Sequence, residues 1–180
     1  MHNHLFSSQV IDRLSFALGK IEISPDYRER ILSLVLRYLN AQLHNAEART
    51  PYVLLPSLCC CACGEPLERS IGVSIAWFLL QISASLLDKV EDHELLSELL
   101  VPCDASIVAN LTTGMIFVAQ WILGHLELDR VDAGTAWDIQ RAFHETILTV
   151  CSGQHLDLMA TTPDLSTCWQ IAEAKSGVAF

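Results

Sequence analysis

The chain has 180 residues, 51% of them hydrophobic, and a formal net charge of −10. One domain spanning 1–180 is expected at this length, burying roughly 70 % of its unfolded surface. So apolar a composition excludes intrinsic disorder. The acidity argues against a nucleic-acid partner, but leaves room for a small polyanion bridged by divalent cations.

The opening Met1-His2-Asn3-His4 lacks the charged-then-apolar pattern of a secretory signal. There are seven cysteines, four of them in the run Cys59-Cys60-Cys61-Ala62-Cys63. Adjacent cysteines are poorly placed to bridge each other, so a reduced, cytoplasmic setting is expected. Ser24-Pro25-Asp26 reads as a helix N-cap followed by Pro at the first helical position. Tyr27, Ile31, Leu34, Val35, Tyr38, Leu39 and Leu43 then fall on one helical face. Pro51 and Pro56 disturb the start of the next helix, and Gly64-Glu65-Pro66 ends it. A long apolar helix opens near Pro66 and runs to about Leu87. Asp104 caps a helix over 105–124. Another begins at Asp132 or Ala133 and runs to about Cys151. Asp164 and Ser166 precede a last one, from about Thr167 to Ser176. No period-two run of β-branched residues signals a strand, so the fold class is all-α, with six or more helices.

Segments 71–87 and 105–124 carry no formal charge. Their length would allow them to cross a bilayer. Ser74, Gln81, Ser83 and Ser85 dilute the first, and Asn110, Thr112, Thr113, Gly114 and Gln120 the second. No basic cluster flanks either to set an orientation. The expectation is two core helices and no stable membrane span, with a two-span membrane protein as a rival. The cysteines are expected at helix interfaces, because free cysteine is among the most buried residue types. Trp77, Trp121 and Trp137 are expected as core or interface aromatics.

The first apolar helix ends in Asp88-Lys89-Val90-Glu91-Asp92. Asp88 and Asp92 stand four apart on one face, where like charges repel. A divalent cation between them would relieve this, and hard carboxylate oxygens suit magnesium. A solvated helix end screened by Lys89 is the plain alternative. Gln154 and Asp157 share a face in Gly153-Gln154-His155-Leu156-Asp157-Leu158. Lys175 precedes Ser176-Gly177 and is either a phosphate contact or a cation favoured at a helix C-terminus.

Taken in this order, the three segments resemble the N-terminal part of the trans-prenyltransferases, the isoprenyl diphosphate synthases. That family carries Asp-Asp-x-x-Asp at the end of a long apolar helix, then Gly-Gln-x-x-Asp-Leu, then Lys-Thr-Gly. Arg49-Thr50-Pro51 is similar to the family's earlier basic segment. The resemblance covers about 30–180 and implies an isoprenoid synthase-type helical bundle around a central cavity. It implies Mg2+ on Asp88 and Asp92 with Glu91 as a helper. It further implies a diphosphate contacted by Lys175 and Gln154, with Asp157 in the same binding segment, and isopentenyl diphosphate seated by Arg49. Condensation of an allylic diphosphate with isopentenyl diphosphate would follow, with Leu80, Ala84 and Leu87 limiting product length. A homodimer, or a heteromer with a related subunit, is the implied assembly. Lys89 replaces the family's second aspartate, no Arg-Arg-Gly follows, and the family's second aspartate-rich motif lies beyond the resembling region. These departures leave open a longer natural polypeptide, a catalytic partner, or a non-catalytic regulatory or isoprenoid-binding member of the same fold.

Overall fold

The computed structural model describes residues 2–44, 54–93, 104–162 and 164–179, and all regular structure among them is helical. The helices are α1 (His2–Lys20), α2 (Pro25–His44), α3 (Leu55–Ala62), α4 (Ile71–Glu91), α5 (Ala105–Leu123), α6 (Ala133–Met159) and α7 (Leu165–Lys175), with 3-10 turns at Leu67–Ser70, Leu126–Asp129 and Gly177–Ala179. The chain forms two compact units, Met1–Ala133 and Gly134–Phe180.

In the first unit, α1 lies outside the elements read from the sequence. Its fully buried Val10, Leu14, Ala17 and Leu18 nevertheless make one helical stripe. The expected start of α2 is found: Ser24 Oγ accepts from the Tyr27 N–H at 3.2 Å. Ile31, Leu34, Val35 and Leu39 of its apolar face are buried. Tyr27 ties α2 to α5, its hydroxyl donating to the Asn110 carbonyl at 3.0 Å. A Cβ at Gly114 would collide with that hydroxyl, so glycine is what permits the close approach.

α3 ends where Gly64 adopts φ +84, the left-handed conformation that suits glycine after a helix. Ser57 on α3 lies 2.9 Å from both Ser70 and Ser74, and Ser70 also reaches the Leu67 carbonyl at 2.7 Å. These buried hydroxyls satisfy one another, which offsets the cost of removing them from water.

α4 buries Ile71, Ile75, Phe78, Leu79, Ile82 and Leu86, and packs most extensively on α5. α5 answers with Val108, Leu111, Met115, Val118, Ile122 and Leu123. Each such side chain removed from water contributes about 1.5–3 kcal/mol. Thr112 stays in this core by donating to the Val108 carbonyl at 2.7 Å. Asp104 caps α5 as expected, accepting from the Ser106 N–H at 3.0 Å. The segments Leu67–Glu91 and Ala105–Leu123 are long and apolar enough to cross a membrane, and 61% and 44% of their apolar windows are buried within the fold. α5 is therefore not enclosed all round: Phe117 is 69% exposed.

In the second unit, α6 runs to Met159 instead of stopping near Cys151. No proline interrupts it, and Gly153 is accommodated by a close packing contact rather than ending the helix. Trp137, expected at a core or interface, is 67% exposed. α7 begins where Asp164 Oδ1 accepts from the Thr167 N–H at 2.7 Å.

Candidate functional site

The first carboxylate group stands at the last turn of α4. The Asp92 N–H donates to the Asp88 carbonyl at 2.9 Å, so the helical register persists through Asp92. His93 then turns to φ 55 and the helix stops. Asp88 and Glu91 are half-buried and Asp92 is exposed. The negative end of the helix macrodipole makes this an unfavourable place for three acids and a favourable one for Lys89. A cation here would offset both the dipole and the Asp88–Asp92 repulsion. Among the described residues no three His, Cys, Asp or Glu side chains are grouped to hold a metal ion. Asp88 and Asp92 would by themselves offer magnesium a two-carboxylate donor set, a number of protein ligands this ion commonly takes.

The second group lies in the other unit, on α6 and α7. Lys175 Nζ donates to Asp157 Oδ2 at 2.8 Å across 18 residues of sequence. Gly153, one helical turn before Asp157, faces the backbone of α7. A Cβ there would stand 2.5 Å from the Lys175 nitrogen and 2.7 Å from the Ala174 carbonyl carbon. Glycine at 153 thus lets the end of α7 rest directly on α6 and sets Lys175 against Asp157. Gln154, next to Gly153 in the chain, is half-buried. The ion pair is partly solvated, with side chains 27% and 44% exposed, and so contributes at most about 1 kcal/mol to stability. Any phosphate drawn to Lys175 must compete with this carboxylate.

Arg49 lies outside the described residues. Of the residues expected to limit product length, Leu80 and Leu87 are half-buried and Ala84 is exposed. The described cysteines depart from the expected burial: Cys59, Cys61, Cys63, Cys151 and Cys168 are exposed, and Cys60 is half-buried; Cys103 lies outside the described residues. The reason is local. α3 turns Ser57 inward, so its cysteine-rich C-terminal turn faces largely outward.

One polar centre escaped sequence reading. Asp129 is buried, accepts from the Gly72 N–H at 2.9 Å, and has Arg13 Nε 3.7 Å from its other oxygen. Arg13 Nη2 also donates to the His125 carbonyl at 3.1 Å. Burial pushes the Asp129 carboxyl above its ordinary value, although Arg13 and the Gly72 N–H pull it down. A Cβ at Gly72 would collide with the carboxylate and with Leu126. These residues lie far apart in the chain, and no spacing rule joins them. His125 is fixed nearby, stacked on Trp121 at 3.9 Å between ring centroids.

No protein-family model matches this chain, and no curated protein matches it either.

Proposed function

We propose that this chain is an isoprenyl diphosphate synthase-like protein, with an isoprenoid synthase-type bundle, acting on an allylic prenyl diphosphate and isopentenyl diphosphate. The observation that carries the reading is the Gly153–Lys175–Asp157 contact. Two motifs singled out by resemblance, and separated in sequence, are folded against each other through the glycine that one of them specifies.

On this reading Asp88 and Asp92, assisted by Glu91, would be the residues that hold Mg2+ for the allylic diphosphate. When bound, the ion neutralises the departing diphosphate. Within the second unit, Lys175 and Gln154 would supply contacts to diphosphate oxygens and Asp157 would orient Lys175, while Arg49 would seat isopentenyl diphosphate. The allylic C–O bond breaks and the isopentenyl double bond attacks the allylic carbon. A proton is then lost and a new C–C bond remains. Apolar residues of α4 preceding Asp88 keep water from the cation, with Leu80, Ala84 and Leu87 limiting product length. The protein would act in the cytoplasm as a homodimer or with a related subunit, without a membrane span. The extensive burial of α4 against α5 supports that last point.

A second reading, a non-catalytic regulatory or isoprenoid-binding member of this fold, draws support from Lys89 inside the carboxylate motif and from the pairing of Lys175 with Asp157. A product assay separates the two. Protein is given Mg2+, isopentenyl diphosphate and each short allylic diphosphate, beside an Asp88→Ala, Asp92→Ala variant. Product from the wild type alone supports a synthase. No product from folded protein removes the self-sufficient synthase. Recovery without detergent in the soluble fraction is the expected result for location.

A further inference from the structure

The exposed cysteines of α3 carry a different chemistry, independent of the isoprenoid reading. Cys59 and Cys63 are four residues apart, and the Cys63 N–H donates to the Cys59 carbonyl at 3.1 Å. The same N–H also reaches the Cys60 carbonyl at 3.2 Å, so a tightened last turn joins Cys59 to Cys63 at the C-cap of α3, and residues four apart in a helical turn share a face. Both are exposed. Gly64 then turns the chain away and meets no atom within 4 Å of its Cβ position. The other two thiols of the run are differently placed. Cys60 is half-buried, and its Sγ donates to the Pro66 carbonyl at 3.6 Å. Cys61, two residues from each member of the pair, projects from another side of the helix.

Distance decides what such a pair can do. Residues four apart on a helix hold their Cβ atoms about 5–6 Å from each other. A disulfide requires about 3.5–4.5 Å, so this turn cannot close on itself without unwinding. One ion between the two sulfurs spans the wider gap. Structural zinc takes four ligands, and no third His, Cys, Asp or Glu joins the pair among the described residues. A soft cation content with two thiolates remains, and among biological metals that is Cu(I). The negative end of the α3 macrodipole and the chain's acidity also favour a cation here.

We propose that Cys59 and Cys63 form a two-thiolate site for Cu(I). Binding converts two thiols and one Cu(I) into a two-coordinate bis-thiolate complex and releases two protons, with no change in oxidation state.

The test uses the full chain under nitrogen, titrated with acetonitrile-stabilised Cu(I) against bathocuproine disulfonate as competitor. The expected result is one tightly held copper per chain, with two sulfur neighbours by X-ray absorption and two protons released. Cys59→Ser and Cys63→Ser each lose that copper, whereas Cys61→Ser keeps it. All three positions are exposed, and circular dichroism verifies that each variant remains helical. Copper retained by Cys59→Ser, lost by Cys61→Ser, or bound with three sulfur neighbours overturns the proposal.

Discussion

α4 and α6 are both long helices, of 21 and 27 residues, yet they are stabilised differently. α4 is held by burial: Phe78, Leu79, Ile82 and Leu86 lie within a core that α5 completes. α6 fully buries only Gly153, and its Ile139, Phe143, Ile147 and Val150 stripe is half-buried. In proteins most of a helix's stability comes from packing its apolar face against other elements. Helical periodicity alone therefore does not measure how firmly a helix is held. In α6 it is Gly153 that is packed closely, against the end of α7.

That contrast can be broken or sharpened by substitution. Phe78→Ala should have the largest effect, about 3–5 kcal/mol of lost stability by urea denaturation, because it leaves a cavity among well-packed side chains. An effect on the scale of a surface mutation would show that α4 is not the core helix described here. Asp129→Ala should follow at about 3 kcal/mol, since it leaves the Arg13 charge buried without its carboxylate. Gly153→Ala should cost about 1–3 kcal/mol by driving a methyl group into the backbone of α7. It should also change the fluorescence of Trp169 and leave the α4–α5 core intact. Asp157→Asn should change stability by no more than about 1 kcal/mol. On the synthase reading it nevertheless lowers product formation by freeing Lys175 from its orienting partner.

The smallest effect is a pH dependence. N–H donors of the capped helices hold the Asp104 and Asp164 carboxyls below their ordinary range. Their folded pKa values therefore lie below the unfolded one. Both caps act fully above the unfolded carboxylate pKa of about 3.9 and are lost as pH falls through the lower folded values. Asp129 has the opposite sign. Its raised folded pKa means that the folded state binds the proton more tightly, so its ionisation costs stability as pH rises from about 3.9 through the higher folded value. Thermal melts of an Asp104→Ala, Asp164→Ala variant between about pH 2 and pH 6 should show a flatter acid limb than the wild type.

The sequence was most legible where structure is local. Ser24, Asp104 and Asp164 announce helix starts through bonds to N–H groups two or three residues on. Gly64 marks the end of α3, and uncharged runs mark α4 and α5. α1 was legible too, in the spacing of Val10, Leu14, Ala17 and Leu18, but it lacks a turn signal to draw attention. α6 continues past Cys151 to Met159, a length that no local signal in the sequence marks, with Gly153 packed against α7. The outward-facing cysteines were misjudged because a residue type's average burial says nothing about which face of a short helix packs. Arg13, Gly72 and Asp129 share only a place in the fold. Of the candidate site, the pairing of Lys175 with Asp157 links two motifs by a contact that sequence spacing does not encode.

The Asp129–Gly72 bond also bears on the order of folding. α4 has no local side-chain cap at Ser70, and one of its first N–H groups is satisfied by a carboxylate 57 residues further along. That bond is non-local, and closing a loop of 57 residues costs chain entropy that a local helix cap does not, so it is expected to form late in folding. Its loss should therefore speed unfolding and leave the folding rate nearly unchanged. The buried carboxylate acts as a latch on the finished hairpin of helices, setting how long the native state lasts.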